Sequence, residues 1–80
     1  MKARVTVKLK EGVLDPQGKA IEGALAALGF KGVSGVRQGK VFDVEIAERD
    51  PAQAKKAVSA MAEKLLANTV IETYEVAIEK

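Results

Sequence analysis

The first residues of the chain alternate between polar and apolar side chains. Alternation with a period of two is typical of a strand with one buried face, and the apolar positions are Ala3, Val5, Val7 and Leu9. From Pro16 the period becomes helical, with an apolar stripe formed by Ala20, Ile21, Ala24, Leu25 and Leu28. Gly29 follows directly, where a left-handed glycine often ends a helix, so the pattern predicts a helix over residues 16–28.

Residues 31–47 are predicted to form a hairpin. Its first strand, 33–37, is weakened by Gly35, and Gln38-Gly39 supplies a two-residue turn. The second strand alternates clearly, with its apolar face made of Phe42, Val44 and Ile46. A second helix is predicted from Pro51 to about Ala67, with a stripe of Ala54, Ala57, Val58, Met61 and Leu65. Asn68 follows as the expected left-handed C′ residue of this helix. A last strand, predicted to start as early as Val70, carries Tyr74, Val76 and Ile78 on one face.

Both predicted helices begin with Asp-Pro, at Asp15-Pro16 and Asp50-Pro51. Asp is a good N-cap and Pro suits the first helical position. Gln53 completes a capping box in the second helix. Gly18 holds the equivalent position in the first, where Gly weakens a helix by about 1 kcal/mol relative to Ala. A nearby surface or ligand would explain it, and so would an ordinary helix start with one weak position. In a helical N3 position, Gly18→Ala is expected to leave stability unchanged or raise it.

The order of elements is strand, helix, strand, strand, helix, strand. This order favours an α+β fold, a ferredoxin-like βαββαβ two-layer sandwich forming a single domain over residues 1–80. We expect a four-stranded antiparallel sheet with both helices on one face and the other face open. The predicted core is Val5, Val7, Leu9, Ile21, Leu25, Leu28, Phe42, Val44, Ile46, Val58, Met61, Leu65, Tyr74, Val76 and Ile78.

Composition narrows the chemistry that the chain can perform. It contains neither His nor Cys among its 80 residues, so the usual general base, metal ligands and thiol nucleophile are missing. Glu11 with Asp15, or Asp43 with Glu45, could pair as carboxylates, but a helix cap and the polar side of a strand explain them better. We therefore expect no catalysis by this chain alone, and no metal or cofactor bound to it.

Charge, aromatic content and length bear on partners and location. The net charge of +2 and the two Phe and one Tyr are too little for a nucleic-acid surface. No apolar run approaches the length of a membrane span and no signal peptide is visible, so the expected location is the cytoplasm. A short chain without disulfides is marginal alone, which favours self-association. Leu66, Val70 and Ile71 are surplus hydrophobic residues that either close the core or form a docking surface.

Two stretches resemble the signature motifs of a known family. Residues 14–18, Leu-Asp-Pro-Gln-Gly, and 64–72, Lys-Leu-Leu-Ala-Asn-Thr-Val-Ile-Glu, are similar to motifs of the PurS family. The resemblance extends over essentially the whole chain and includes the hairpin at 36–40 and the Tyr74 strand. PurS proteins are small subunits of phosphoribosylformylglycinamidine (FGAM) synthase in purine biosynthesis.

The resemblance implies a non-catalytic subunit that forms a dimer or higher oligomer. It would hold a glutaminase subunit and a large synthetase subunit together so that ammonia passes between them, with ATP and Mg bound in the large subunit. The residues expected to bind partners are Leu14, Asp15, Pro16, Gly18, Leu66, Asn68, Val70, Ile71 and Glu72. The alternative is an ACT-like regulatory domain that binds a small molecule near a helix start, with which Gly18 is also compatible. The chain length favours the subunit.

Overall fold

The computed structural model describes residues 1–79. Within them the elements are strand β1 (Lys2–Leu9), helix α1 (Pro16–Ala27), strand β2 (Gly39–Glu45), helix α2 (Pro51–Met61) and strand β3 (Glu72–Glu79). Helix α2 continues directly into one π-helical turn, Ala62–Leu66. None of these helices is both long enough and apolar enough to cross a lipid bilayer.

The sheet has the order β2-β1-β3, with both neighbours antiparallel to β1. The prediction of four strands is therefore wrong, because the described residues form three and the segment 30–38 joins no strand. Gln38-Gly39 does not turn the chain: the Gln38 N–H donates to the Asp15 carboxylate at 2.8 Å. Gly39 is already the first residue of β2, opposite Lys8. Residues 33–37 consequently run into β2 instead of folding back beside it.

The core lies between α2 and the inner face of the sheet. Val5 and Val7 of the central strand and Val58 of α2 are fully buried, and the small side chains of Ala54 and Ala62 are buried as well. The flanking strands add partly buried side chains, namely Phe42, Val44, Ile46, Tyr74, Val76 and Ile78. These positions confirm the part of the predicted core that alternation along the strands identified, with the exception of Leu9, which is half-buried and does not belong to the core cluster.

The π-helical turn changes which residues after α2 face the core. The Ala67 N–H donates to the carbonyl of Ala62, five residues back, at 2.9 Å, so this turn contains one residue more than an α-helical turn. Leu66 and Ala67 consequently pack against the core, while Leu65 is 83% exposed. The prediction that Met61 and Leu65 continue the buried stripe is wrong, since Met61 is also exposed.

The helix starts follow the prediction with one exception. The Asp15 carboxylate accepts from the Gly18 N–H at 2.8 Å, and the Asp50 carboxylate accepts from the Ala52 N–H at 3.1 Å. The capping box with Gln53 does not form, because the Asp50 N–H donates to the Glu48 carboxylate at 3.2 Å. A nearer carboxylate thus takes the donor that the capping box would use.

The two helix ends differ. Gly29 has a φ of 93°, and the Phe30 N–H donates to the Leu25 carbonyl at 3.1 Å, as in a Schellman motif. The predicted glycine end is confirmed. Asn68, predicted to play the same role after α2, does not adopt a left-handed conformation. Its side-chain oxygen instead accepts from the Val70 N–H at 3.2 Å and shapes the turn into β3.

The outer sheet face is open, as predicted, and its charges neutralise one another. Lys2 lies between Glu45 and Glu79 across the strands, and Arg4 Nε donates to Asp43 Oδ1 at 2.9 Å. Both side chains of this ion pair are more than half exposed, so solvent screens the pair and it contributes little to stability. The basic residues of β1 thus have acidic neighbours on β2 and β3, so the outer sheet face offers no continuous basic surface.

The chain is far from spherical, with extents of 48 × 26 × 15 Å and a radius of gyration of 16.0 Å. A compact domain of this length has a radius of about 12 Å. The cause is α1, which makes no substantial contact with the sheet or with α2. The prediction that both helices cover one sheet face is wrong, because α2 covers it alone. We call α1 together with the returning residues 28–38 the arm.

Candidate assembly site

The arm exposes the apolar stripe that was predicted to lie in the core. Only Gly18 is buried within α1, while Leu28 is 74% exposed and Phe30 60% exposed. The returning segment lies along the opposite, more polar side of α1, where a cleft is lined by Lys19, Glu22, Gly23, Ala26, Phe30, Lys31, Gly32 and Val33. We call the exposed stripe residues Ile21 and Leu28, together with the half-buried Leu25 between them, the arm surface.

Asp15 ties the outgoing and returning chains together at the base of the arm. Its side chain is only 5% exposed, and one carboxylate oxygen accepts from the Gly18 N–H while the other accepts from the Gln38 N–H, each at 2.8 Å. The N–H groups of Gln38 and then Gly18 hold the pKa of the Asp15 carboxyl below its ordinary value, since they stabilise the charged form. Asp15 is therefore both a helix cap and a long-range link.

Arg37 forms a second link at the same place. Its Nη1 donates to the Val13 carbonyl at 2.9 Å and its Nη2 donates to the Lys10 carbonyl at 3.0 Å. The planar guanidinium can reach two carbonyls at once, which a lysine ammonium cannot match in geometry. No role was predicted for Arg37. The one available signal was its place next to Gln38 in the 36–40 part of the family resemblance.

Gly18 is explained by a close approach within the same chain. A Cβ at this position would collide with the backbone carbonyl oxygen of Val36, and it would lie 3.0 Å from the Asp15 carboxyl carbon. The expected nearby surface exists, but it is the returning segment of the arm. The structure therefore predicts the opposite of the expectation that Gly18→Ala leaves stability unchanged or raises it. The atom that the new Cβ would meet belongs to the backbone, not to a flexible side chain that could move aside.

The absence of α1 from the inner sheet face leaves a groove of about 400 Å³ beside the core. Its lining is Val7, Leu9, Asp15, Pro16, Gln17, Gln38, Gly39, Lys40 and Glu72. Lys40 lies on the inner face, opposite Val7, and its ammonium is 3.6 Å from the Glu72 carboxylate. The groove thus has an apolar floor and one charge pair in its lining. It lies open on the sheet face that α1 was predicted to cover.

A second set of exposed apolar residues surrounds the π-helical turn. Leu65 and Val70 are 83% and 80% exposed, and Met61 and Ile71 are exposed to a lesser degree. We call these four residues the exit surface. In the turn that follows, the Glu72 carboxylate accepts from the Asn68 N–H at 2.6 Å, and nearby the Tyr74 hydroxyl donates to the Glu63 carboxylate at 2.7 Å. That bond raises the pKa of the Tyr74 hydroxyl.

Burial divides the nine residues that were expected to bind partners. Leu14, Pro16, Asn68, Val70 and Ile71 are exposed, Leu66 and Glu72 are half-buried, and Asp15 and Gly18 are buried. The exposed residues could meet a partner directly. Asp15 and Gly18 could affect one only through the arm that they hold. Partner binding by any of the nine stays a prediction.

The acidic side chains near these surfaces have structural partners. Asp15 caps α1, Asp43 pairs with Arg4, Glu63 bonds to Tyr74 and Glu72 holds the turn at Asn68. The hydrogen bond from Arg4 lowers the pKa of the Asp43 carboxyl. Within residues 1–79, no three acidic side chains are grouped so that they could hold a metal ion.

Comparison with known proteins gives one consistent answer. The sequence profile of PurS, phosphoribosylformylglycinamidine (FGAM) synthase, matches residues 2–80. The FGAM synthase subunit PurS of Methanocaldococcus jannaschii is 44% identical over 79 residues, which are 99% of this chain and 95% of that protein. The corresponding subunit of Mycobacterium leprae is 49% identical over 78 residues, 98% and 95% of the two chains.

Solved structures share the fold. The crystal structure of M. jannaschii PurS matches with a TM-score of 0.88 at 47% identity, covering 99% of this chain and 95% of that chain. A chain of the Thermotoga maritima PurLQS structure matches with a TM-score of 0.86 at 34% identity, covering 95% and 93%. The first match covers nearly every residue, so it includes the arm. An ACT-like regulatory domain receives no support, and the chain belongs to the PurS family of FGAM synthase subunits.

Proposed function

We propose that this chain is the non-catalytic small subunit of an FGAM synthase complex. It acts as a dimer or higher oligomer and joins the glutaminase and synthetase subunits so that ammonia is passed between them. The observation that carries the proposal is the presence of two separate exposed apolar surfaces, on the arm and at the helix exit, in a chain whose nearby acidic groups are engaged in structure. Large exposed apolar surfaces mark interaction sites.

A second copy of this chain is the best occupant for the arm surface. The arm carries the apolar stripe that was expected to cover the inner sheet face, and that face retains an open groove beside α2. The stripe and the groove are therefore two halves of one packing arrangement that a single chain leaves unmade. Two copies can complete it reciprocally, each placing its arm on the groove of the other, as a two-fold interface allows.

We expect the exit surface to remain available in such a dimer, because it lies at the end of α2 and in the turn before β3, whereas the arm and most of the groove lining belong to other segments of the chain. The T. maritima PurLQS structure contains a chain similar to this one, which supports assembly with larger subunits. We assign the exit surface to that contact. ATP and Mg belong to the large synthetase subunit in this proposal, since the described residues of this chain group no three acidic side chains that could hold a metal ion.

The self-association part is tested by sedimentation at several micromolar concentrations. The wild type is expected to be a dimer or larger, and Leu28→Asp on the arm surface is expected to dissociate it. Val41→Asp is the control, because Val41 is comparably exposed but lies on the outer face of β2. A folded wild-type monomer throughout this concentration range would refute the dimer.

The bridging part is tested with purified glutaminase and synthetase subunits. Adding the wild-type chain is expected to restore glutamine-dependent FGAM synthesis. Leu65→Asp is expected to reduce that activity while leaving the dimer and the ammonia-dependent activity largely intact, since free ammonia bypasses the glutaminase. The proposal fails if the two larger subunits reach full glutamine-dependent activity without this chain, or if the chain alone turns over substrate.

A further inference from the structure

The arm is joined to the sheet by a small group of polar contacts. Residues 10–15 leave the sheet and residues 36–39 return to it, and two side chains bridge them. Asp15 accepts from the Gln38 N–H, and Arg37 donates to the carbonyls of Lys10 and Val13. Since α1 does not pack on the sheet, these bonds set the direction in which the arm projects.

The second Asp-Pro helix start shows what Asp15 does beyond capping. Asp50 precedes Pro51 as Asp15 precedes Pro16, but its exposed carboxylate bonds only to the Ala52 N–H of its own helix. Helix α2 is held instead by its buried residues Ala54 and Val58. Asp15 is buried and uses both oxygens, one of them on a residue 23 positions away. The additional long-range bond of Asp15 thus occurs at α1, the helix that does not pack on the sheet.

We propose that Asp15 and Arg37 are positioning residues that orient the arm before two copies associate. Rigid presentation of an interface lowers the entropy that association must otherwise remove. An arm that swings about residues 10–15 and 36–39 has to be ordered during association, whereas a locked arm presents its apolar surface at once. The inference rests on the proposed dimer, and it assigns the buried Asp15 and the exposed Arg37 a role that the exposed apolar residues cannot supply.

The sharpest test replaces Asp15 by an isosteric residue of equal capping strength. Asn caps helices about as well as Asp, but Gly18 and Gln38 donate to different oxygens of Asp15, and in Asn one of those two oxygens is replaced by an NH2 group that cannot accept. Asp15→Asn is expected to raise the dissociation constant of the dimer at least about tenfold, roughly 1.4 kcal/mol. Asp50→Asn is the matched control, because Asp50 uses one oxygen for its helix and should lose nothing.

Arm orientation is measured separately from affinity. The chain has no native Cys, so spin labels can be attached to cysteines introduced at the exposed positions Lys31 and Glu75. Diluting labelled chains with unlabelled ones restricts the measured distance to one copy. Asp15→Asn and Arg37→Ala are expected to broaden this distance distribution. Asp50→Asn and Arg4→Ala, which removes an exposed ion pair, should not broaden it.

The outcomes separate this inference from the proposed dimer. A broadened distribution together with a raised dissociation constant supports the positioning role. A broadened distribution with unchanged affinity overturns it, and so does an unchanged distribution in both Asp15→Asn and Arg37→Ala; in either case the dimer proposal stands. A wild type that stays monomeric overturns the dimer and the positioning role together. Hydrogen exchange of β1 and α2 confirms that each variant keeps its core.

Discussion

Gly18→Ala gives the clearest test of how the arm is attached. The added Cβ would collide with the Val36 carbonyl oxygen. It also has no room to shift toward Asp15, because it would lie 3.0 Å from both the carboxyl carbon and one carboxylate oxygen of that residue. Backbone must therefore move at the arm base. Inserting a methyl group into a well-packed site typically costs about 1–3 kcal/mol, whereas Ala in place of Gly stabilises a helix by about 1 kcal/mol.

Displacing Val36 also disturbs the neighbouring bond from the Gln38 N–H to Asp15. Hydrogen bonds to charged groups contribute about 1.5–3 kcal/mol, so partial loss of this one outweighs the helix gain. We expect Gly18→Ala to destabilise the chain by about 1–3 kcal/mol. At roughly 4–8 °C per kcal/mol for a domain of this size, the melting temperature should fall by roughly 5–20 °C.

Gly23→Ala is the matched control on the same helix. A Cβ at Gly23 meets nothing within 4 Å, so this substitution should stabilise the chain by up to about 1 kcal/mol. Urea denaturation of both variants and the wild type at one fixed concentration gives the comparison, because association makes stability depend on concentration. Equal stability of the two variants would refute the close approach of Val36 to α1.

Three further predictions concern the strand start, the π-helical turn and pH. Gly39→Ala should be destabilising, because its Cβ would lie 2.7 Å from the Val7 carbonyl oxygen, while Gly35→Ala, which meets nothing within 4 Å, should not lower the midpoint of urea unfolding. Leu66→Ala should lower the free energy of unfolding by about 2 kcal/mol. Leu65→Ala should lower it almost not at all, since only Leu66 packs on the core. Equal losses in the two variants would contradict the π-helical register. The pKa of the Asp15 carboxyl is lowered in the folded chain, so its charged form stabilises the fold. This stabilisation is complete above about pH 4, the ordinary Asp value, and is lost as the pH falls through the folded-state pKa. Urea titrations should therefore show that the difference in unfolding free energy between wild type and Asp15→Asn shrinks in that acid range.

Local features of this chain are determined by its sequence. Alternation predicted β1, β2 and β3, and the helical period with Asp-Pro starts predicted α1 and α2. The end of α1 at Gly29 followed as well. Each of these depends on residues within a few positions of one another, where backbone preference and capping decide the outcome. The family motifs similarly directed attention to residues 14–18 and 64–72 before any contact was known.

The tertiary structure decided which surfaces those elements cover. An apolar stripe on α1 requires burial, but its period is the same whether its own sheet or a second copy provides the partner. The segment 33–37 likewise reads as a strand, and only the bond between Gln38 and Asp15 shows that the chain does not turn there. The candidate site was predicted as a set of residues, and folding left some of them exposed while it buried Asp15 and Gly18 at the base of the arm.

The π-helical turn shows the same limit on a smaller scale. One additional residue between Ala62 and Ala67 moves Leu66 inward and Leu65 outward, although helical spacing alone assigns them the opposite way. Packing of Leu66 on the core and the turn that Asn68 and Glu72 fix favour this arrangement over a regular α-helical turn. Periodicity determines how a helix is patterned, while the contacts across the fold determine where that pattern is interrupted and which of its faces remains for a partner.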